Sequence, residues 1–225
     1  MPAEHLLPER LRLVLTTIYL VFNAGYGPPV RRELCGEAIR LAAVLATLMP
    51  DEAETHGLHA LLLLQDARRD ARVSAAGELV VLGEQDRSLW DADEIEQGRQ
   101  ALERALSLRL PGPYQLQAAI ASLHFEEETD WRQIALLYGR LAELTPSPVV
   151  ELNRAVAVAM ADGAERGLAI VDRLAGLERY HLWHSTRGEL LSRLGRDEEA
   201  ATAYSRALEL APSETERTFL ESRLR

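Results

Sequence analysis

Apolar residues recur three or four positions apart along nearly the whole chain, the spacing of a buried helical stripe rather than the alternation of a strand. Leu11, Val14, Leu15, Ile18, Tyr19 and Phe22 predict a helix over 8–23, ended by Gly25, Gly27, Pro28 and Pro29. Leu34, Ala38, Leu41, Leu45 and Leu48 predict a second over 32–48, and Asp51 is placed to cap a third that runs to Asp66. Around 71–82 the period breaks. There Val73, an Ala75-Ala76-Gly77 turn and the run Glu78-Leu79-Val80-Val81-Leu82 predict a short β-hairpin. Helices resume at Asp93, which with Glu96 reads as a capping box opening a helix to Leu108, stopped by Pro111-Gly112-Pro113. Further helices are predicted over 114–126, 130–144, 148–162, 164–175, 179–194 and 197–210, and Ser213 with Glu216 opens a polar last one over 214–224.

The stripes also repeat. Residues 135–147 and 201–213 share Ala, Tyr, Arg, Glu, Leu, Pro and Ser at equivalent places, 66 residues apart, which is two periods close to the ~34 of tetratricopeptide helix pairs. Residues 181–214 fit that pattern best. Gly188 allows close helix approach, Gly195 makes the turn, Ala200, Tyr204 and Ala207 alternate small with large, and Pro212 ends the unit. Repeats over 115–147 and 149–180 are weaker, with Ser122 and Val156 where the close-approach glycine belongs. The expected fold is all-α, a tetratricopeptide-like array of helical hairpins (an α-solenoid) with one short β-hairpin insertion near 71–82. Residues 1–92 form a divergent N-terminal part and 93–225 the repeats with a capping helix. Such arrays present a groove to a partner.

Composition narrows the partner. The 225 residues carry a net charge of -10, and all 25 basic residues are Arg. An acidic chain gains no counterion-release energy from a polyanion, so no direct nucleic-acid binding is expected. Cys35 is the only cysteine, which excludes an internal disulfide. No run is long and apolar enough for a membrane span and residues 1–25 lack a signal-peptide pattern, so a cytoplasmic location is expected.

Candidate chemistry is sparse. Asp66 and Arg69 are three apart and Asp66 and Asp70 four apart, at the end of a helix rich in Arg. This fits either a charged docking point or an ion-pair network that ties the hairpin to the helices. Asp86, Arg87 and Trp90 combine an aromatic anchor with both charges, suited to a protein interface or to filling a gap between the halves. In a tetratricopeptide-like stack the first helix of each pair lines the inner side, which places Gln117, Asn153, Arg154, Ser185 and Glu189 near the groove. Asn153 and Arg154 could clamp a peptide backbone or carboxylate, and Arg154 could equally be an internal ion-pair partner. His56 with His59 and His181 with His184 lack a third ligand, so no metal and no cofactor is expected. His124 reads as a helix-end histidine favoured by the C-terminal dipole. No nucleophile elbow, P-loop or dinucleotide fingerprint occurs, and no enzyme is expected.

Several strings carry a resemblance: Leu7-Pro-Glu-Arg-Leu11, Tyr19-Leu-Val-Phe-Asn-Ala-Gly-Tyr26, Cys35-Gly-Glu-Ala-Ile-Arg-Leu41, Leu63-Leu-Gln-Asp-Ala-Arg-Arg69, Gln85-Asp-Arg-Ser-Leu-Trp-Asp91, Gly112-Pro-Tyr-Gln-Leu-Gln-Ala-Ala-Ile-Ala121 and Ser147-Pro-Val-Val-Glu-Leu-Asn-Arg-Ala-Val-Ala157. In this order the chain resembles the tetratricopeptide-like C-terminal extension of one group of bacterial extracytoplasmic-function sigma factors, of the sigma-70 family. Ala24 stands where that group has Glu. The promoter-reading sigma portions are absent from these residues, so the chain is expected to be an excised or truncated piece. The resemblance implies a regulatory module that modulates transcription initiation through protein–protein contacts. Its expected partners are the sigma domains of the same full-length chain and core RNA polymerase. The alternatives are a free-standing adaptor that binds a peptide or protein partner, and a small-molecule-sensing helical domain.

Overall fold

A computed structural model describes residues 7–27, 30–74 and 78–224. Eleven α-helices are found among them: α1 (Leu7–Tyr26), α2 (Arg32–Leu48), α3 (Ala53–Asp66), α4 (Ala92–Ser107), α5 (Pro113–Leu123), α6 (Trp131–Leu144), α7 (Pro148–Asp162), α8 (Ala164–Val171), α9 (His181–Arg193), α10 (Asp197–Leu210) and α11 (Glu214–Arg223). The expected all-α class holds, and the helix bounds follow the apolar periodicity closely. Two compact units are formed, one from 1–71 with 86–125 and the other from 72–85 with 126–225. The expected division at residue 92 falls at the first residue of α4, within the first unit.

In the first unit α3 is the central rod, packed by α1, α2, α4 and α5. Its run from Leu58 to Leu64 is apolar on every side except at His59, so it serves two clusters at once. Leu58 and Leu62 join Leu15, Ile18 and Phe22 of α1, while Leu61 and Leu64 join Leu102 of α4 and Ala118 of α5. On α2 the small residues Cys35, Ala38, Ala42 and Ala46 are buried, and the expected leucine stripe lies at the margin, with Leu48 73% exposed. Small side chains let α2 sit close to its neighbours.

Helix starts differ in detail from those expected. Glu52, not Asp51, precedes α3, and it makes no side-chain cap. The N-cap of α4 is Asp91, whose carboxylate accepts from the backbone N–H groups of Asp93 and Glu94. At α5 the cap comes from another helix: the Glu54 carboxylate of α3 accepts from Tyr114 N at 2.9 Å and Gln115 N at 3.1 Å. Burial raises the Glu54 pKa, and these hydrogen bonds oppose the rise. Replacing Glu54 with alanine orphans two partly buried backbone donors and is expected to lower unfolding free energy by about 1–2 kcal/mol, measurable by urea titration.

The second unit stacks its helices in sequence, α6 on α7, α7 on α8, α8 on α9, α9 on α10 and α10 on α11. Its core joins Leu152 and Ala155 of α7 to Leu190 and Leu191 of α9, Ala203 and Tyr204 of α10 and Leu220 of α11. The α9–α10 pair behaves as its sequence predicts. A side chain at Gly188 would meet the Tyr204 ring at 3.0 Å, and Gly195 turns the chain with φ +69°. Ser213 caps α11 through Glu216 N. Of the helices expected to pair over 115–147, α5 belongs to the first unit, where it packs on α3, and α6 to the second, where it packs on α7.

The expected hairpin is not formed. Among the described residues there is no strand, only a single antiparallel bridge between Val73 and Leu79. The predicted Ala75-Ala76-Gly77 turn lies outside the described residues. Two backbone hydrogen bonds flank the bridge, Ser74 N to Glu78 O at 2.8 Å and Val80 N to Arg72 O at 2.9 Å. The ladder goes no further because the chain enters a 3-10 turn at Leu82–Glu84, and the Gln85 side-chain amide donates to Val80 O at 3.2 Å. A two-stranded ribbon this short has too little side-chain pairing to persist.

Candidate protein-interaction site

The polar residues singled out at the end of α3 converge in the first unit. Asp66 closes α3 with its side chain 1% exposed and is paired with Arg69, in the 3-10 turn Arg69–Ala71. The same guanidinium reaches Glu94 of α4 at 3.3 Å. One cation thus clamps two carboxylates, whose far oxygens, Asp66 Oδ1 and Glu94 Oε2, are buried with no hydrogen-bond partner. Burial and the Asp66 charge push the Glu94 pKa up to about 7. Burial likewise raises Asp66, against the pull of Arg69. Asp70 turns outward to an exposed pair with Arg32 of α2. This network ties α3 to α4, with the Asp70–Arg32 pair reaching α2.

Beside it, Trp90 meets Phe125 edge-to-face at 5.1 Å, with the Arg87 guanidinium 5.0 Å from the Trp90 ring centroid. Arg87 also donates to His124 O at 3.5 Å. Trp90 packs within the first unit, against the end of α5. Asp86 is exposed and accepts from the Ser88 backbone and hydroxyl, which hold its pKa down. His124 does sit at the end of α5, but burial, with Arg68 nearby, lowers its pKa to about 4, so it stays neutral despite the helix dipole.

The groove candidates separate. Gln117 lies in the first unit and donates to Pro113 O of its own helix at 3.2 Å. Asn153 is exposed on α7, and Arg154 pairs with Glu151 one turn away at 2.9 Å. Ser185 and Glu189 do line a recess of about 270 Å3 in the second unit, with Val156 and Met160 of α7, Arg193 of α9 and Phe219 of α11. Most of its lining comes from α7, α9 and α11, with Tyr204 of α10 beneath. At its floor Glu189 accepts from Tyr204 Oη at 3.0 Å and Arg193 Nε at 2.9 Å. Although burial opposes it, these hydrogen bonds keep the Glu189 carboxylate ionised by lowering its pKa. Arg223, on α11, completes a charged rim over apolar walls. Val81, from the segment expected to be a hairpin, forms part of the wall.

Sequence reasoning missed Glu94, Val81 and Arg223. Glu94 is 25 residues from Arg69 and carries no local signal, whereas Ser185 and Glu189 follow from the first helix of each repeat pair facing inward. A further apolar furrow runs between α1 and α2, with Leu13 58% exposed, Val44 44% and Leu48 73%. Among the described residues no group of three or more His, Cys, Asp or Glu could hold a metal ion, and no helix is long and apolar enough to cross a membrane.

Residues 181–214, the α9–α10 pair, match the tetratricopeptide repeat. Residues 10–106, from α1 to α4, match a family described as "Family of unknown function (DUF6596)". The chain is 49% identical over 226 residues to the "Uncharacterized protein R00370" of Rhizobium meliloti (strain 1021), an alignment that takes in 96% of this chain and 53% of that protein. It therefore spans about half the length of the curated relative it matches.

Proposed function

We propose that the chain is a non-enzymatic regulatory extension of an RNA polymerase sigma factor, working in the cytoplasm through protein–protein contacts. It binds the sigma domains of its own longer chain or core polymerase rather than nucleic acid. The observation that carries the protein-binding part is the recess on the inner faces of α7, α9 and α11, in a unit that contains a tetratricopeptide repeat. Tetratricopeptide stacks bury their own cores and leave that face for a partner. The transcriptional part rests on the order of strings from Leu7 to Ala157 that resembles the sigma-factor extension. A relative about twice as long as the chain fits a module carried on a larger protein. Regulation then requires a difference in affinity between two arrangements of the sigma domains.

The test is retention of core polymerase and of detached sigma domains on the immobilised chain, with promoter-driven transcription measured after deletion of these residues from the longer protein. Retention together with altered output is expected. No retention and unchanged output would dispose of the sigma-factor reading.

A further inference from the structure

Residues 72–85 belong to the second unit, although the chain on both sides of them belongs to the first. Residues 72–74 and 78–85 of them are described, and the stretch 78–84 lines two hollows with α9 and α11. Val81 enters the recess beside Glu189 and Phe219. Glu78, Leu79 and Glu84 line an adjoining hollow of about 290 Å3 with Phe219, Ser222 and Arg223. Leu79, Val80, Val81 and Leu82 are all half-buried, and the backbone at Val81 is extended, with φ -67° and ψ 150°. The segment's backbone hydrogen bonds run within itself, from Val80 N to Arg72 O and from Glu84 N to Val81 O. Among the described residues, its contacts with α9 and α11 are made by side chains.

We propose that residues 78–84 are an internal strap occupying the groove that a partner peptide uses. The partner is a short peptide with the same chemistry, branched apolar residues flanked by acidic ones. The strap itself shows what the surface accepts. Val81 enters beside Glu189 and Phe219, while Leu79 lines the adjoining hollow with Glu78 and Glu84, which lie on the Arg223 side where charge complementarity favours them. About 270 Å3 stays open beside Val81, so a competitor has room to enter before the strap leaves. A tethered segment competes at an effective concentration of order mM, so the groove of the intact chain binds such a peptide weakly. Only the strap-free fraction is competent, and the apparent dissociation constant is raised by the inverse of that fraction. This inference rests on the recess being the protein-binding face, and it adds the partner's chemistry and a built-in competitor.

The experiment is fluorescence anisotropy with a labelled peptide of the sequence Glu-Leu-Val-Val-Leu-Gly-Glu, titrated with the whole chain and with Val81→Asp. A second variant, Leu79→Ser, loosens the strap without inserting a charge. Both changes lie outside the helices, and circular dichroism checks that helicity is kept. Binding about tenfold tighter or more in both variants is expected, corresponding to a strap that is seated in at least nine molecules of ten. Adding Arg223→Glu to Val81→Asp is expected to remove most of the gain. Equal affinity in the intact and loosened chains would overturn the strap while leaving the recess as a peptide site. Absence of binding in every variant would overturn both.

Discussion

Arg69→Ala is expected to lower unfolding free energy by about 3–5 kcal/mol at pH 8, and by clearly less at pH 5. The large value follows from what remains. Asp66 is 1% exposed and Glu94 is mostly buried, and without the guanidinium two carboxylates face each other with only the more distant, exposed Arg32 to offset them. The pH dependence follows from the direction of their shifts. Both folded-state pKa values are raised, with Glu94 reaching about 7. A carboxyl whose folded pKa exceeds its unfolded value contributes stability that is fully present below the unfolded pKa and lost as pH rises through the folded one. In the intact protein that loss falls between the ordinary carboxyl range and about pH 7, and Arg69 limits it. Without Arg69 both acids are pushed higher still, so the penalty grows from pH 5 to pH 8. Asp91, the N-cap of α4, adds to the repulsion, and the exposed Asp70–Arg32 pair does little to relieve it. Urea titrations of both proteins at the two pH values measure the effect. Adding Glu94→Gln, a neutral stand-in for the protonated acid, is expected to recover part of the loss at pH 8. A penalty of the same size at both pH values would mean the acids are not the source of it.

The same cluster shows what a sequence can and cannot disclose. Asp66 and Arg69 are a turn apart, so their pairing was legible from spacing alone. Glu94 is brought to them by the fold, and only the path of α4 across α3 makes it the third member. Helix bounds were legible because proline, glycine and the 3.6 period act within a few residues. The buried face of α2 was not, since a leucine stripe and a small-residue stripe run side by side on it. Close packing in the first unit selects Ala38, Ala42 and Ala46 over the larger side chains. Glu54 capping α5 from 60 residues away, and the self-folded segment at 78–84, have no local signature either. On the candidate groove, Ser185 and Glu189 were placed by the rule that the first helix of each pair faces inward. Arg223 was read only as part of a polar cap, and Val81 only as part of a hairpin.

The close contact of α3 with α4 supplies the other large effect. Leu64 is 0% exposed, and a Cβ added at Gly98 of α4 would lie 2.7 Å from its Cγ. Leu64→Ala is expected to cost about 2–5 kcal/mol, in the upper half of that range. The reason is that Leu102, Ala118 and Ala121 surround the site from two helices, and both would have to move to close the cavity. Gly98→Ala alone drives a methyl group into Leu64 and is expected to destabilise by about 1–3 kcal/mol, less the ~1 kcal/mol that alanine gains over glycine in a helix. Combined, the two changes are expected to be less harmful than their sum, because the new methyl group enters space that the leucine has left. The double variant should then be more stable than Leu64→Ala by about 1 kcal/mol, with a coupling energy outside the ~0.5 kcal/mol expected of independent sites. A full cycle of urea titrations measures it. Strict additivity would show that α4 has moved away from α3 in the single variants, and that the approach at Gly98 is not what holds the two helices in register.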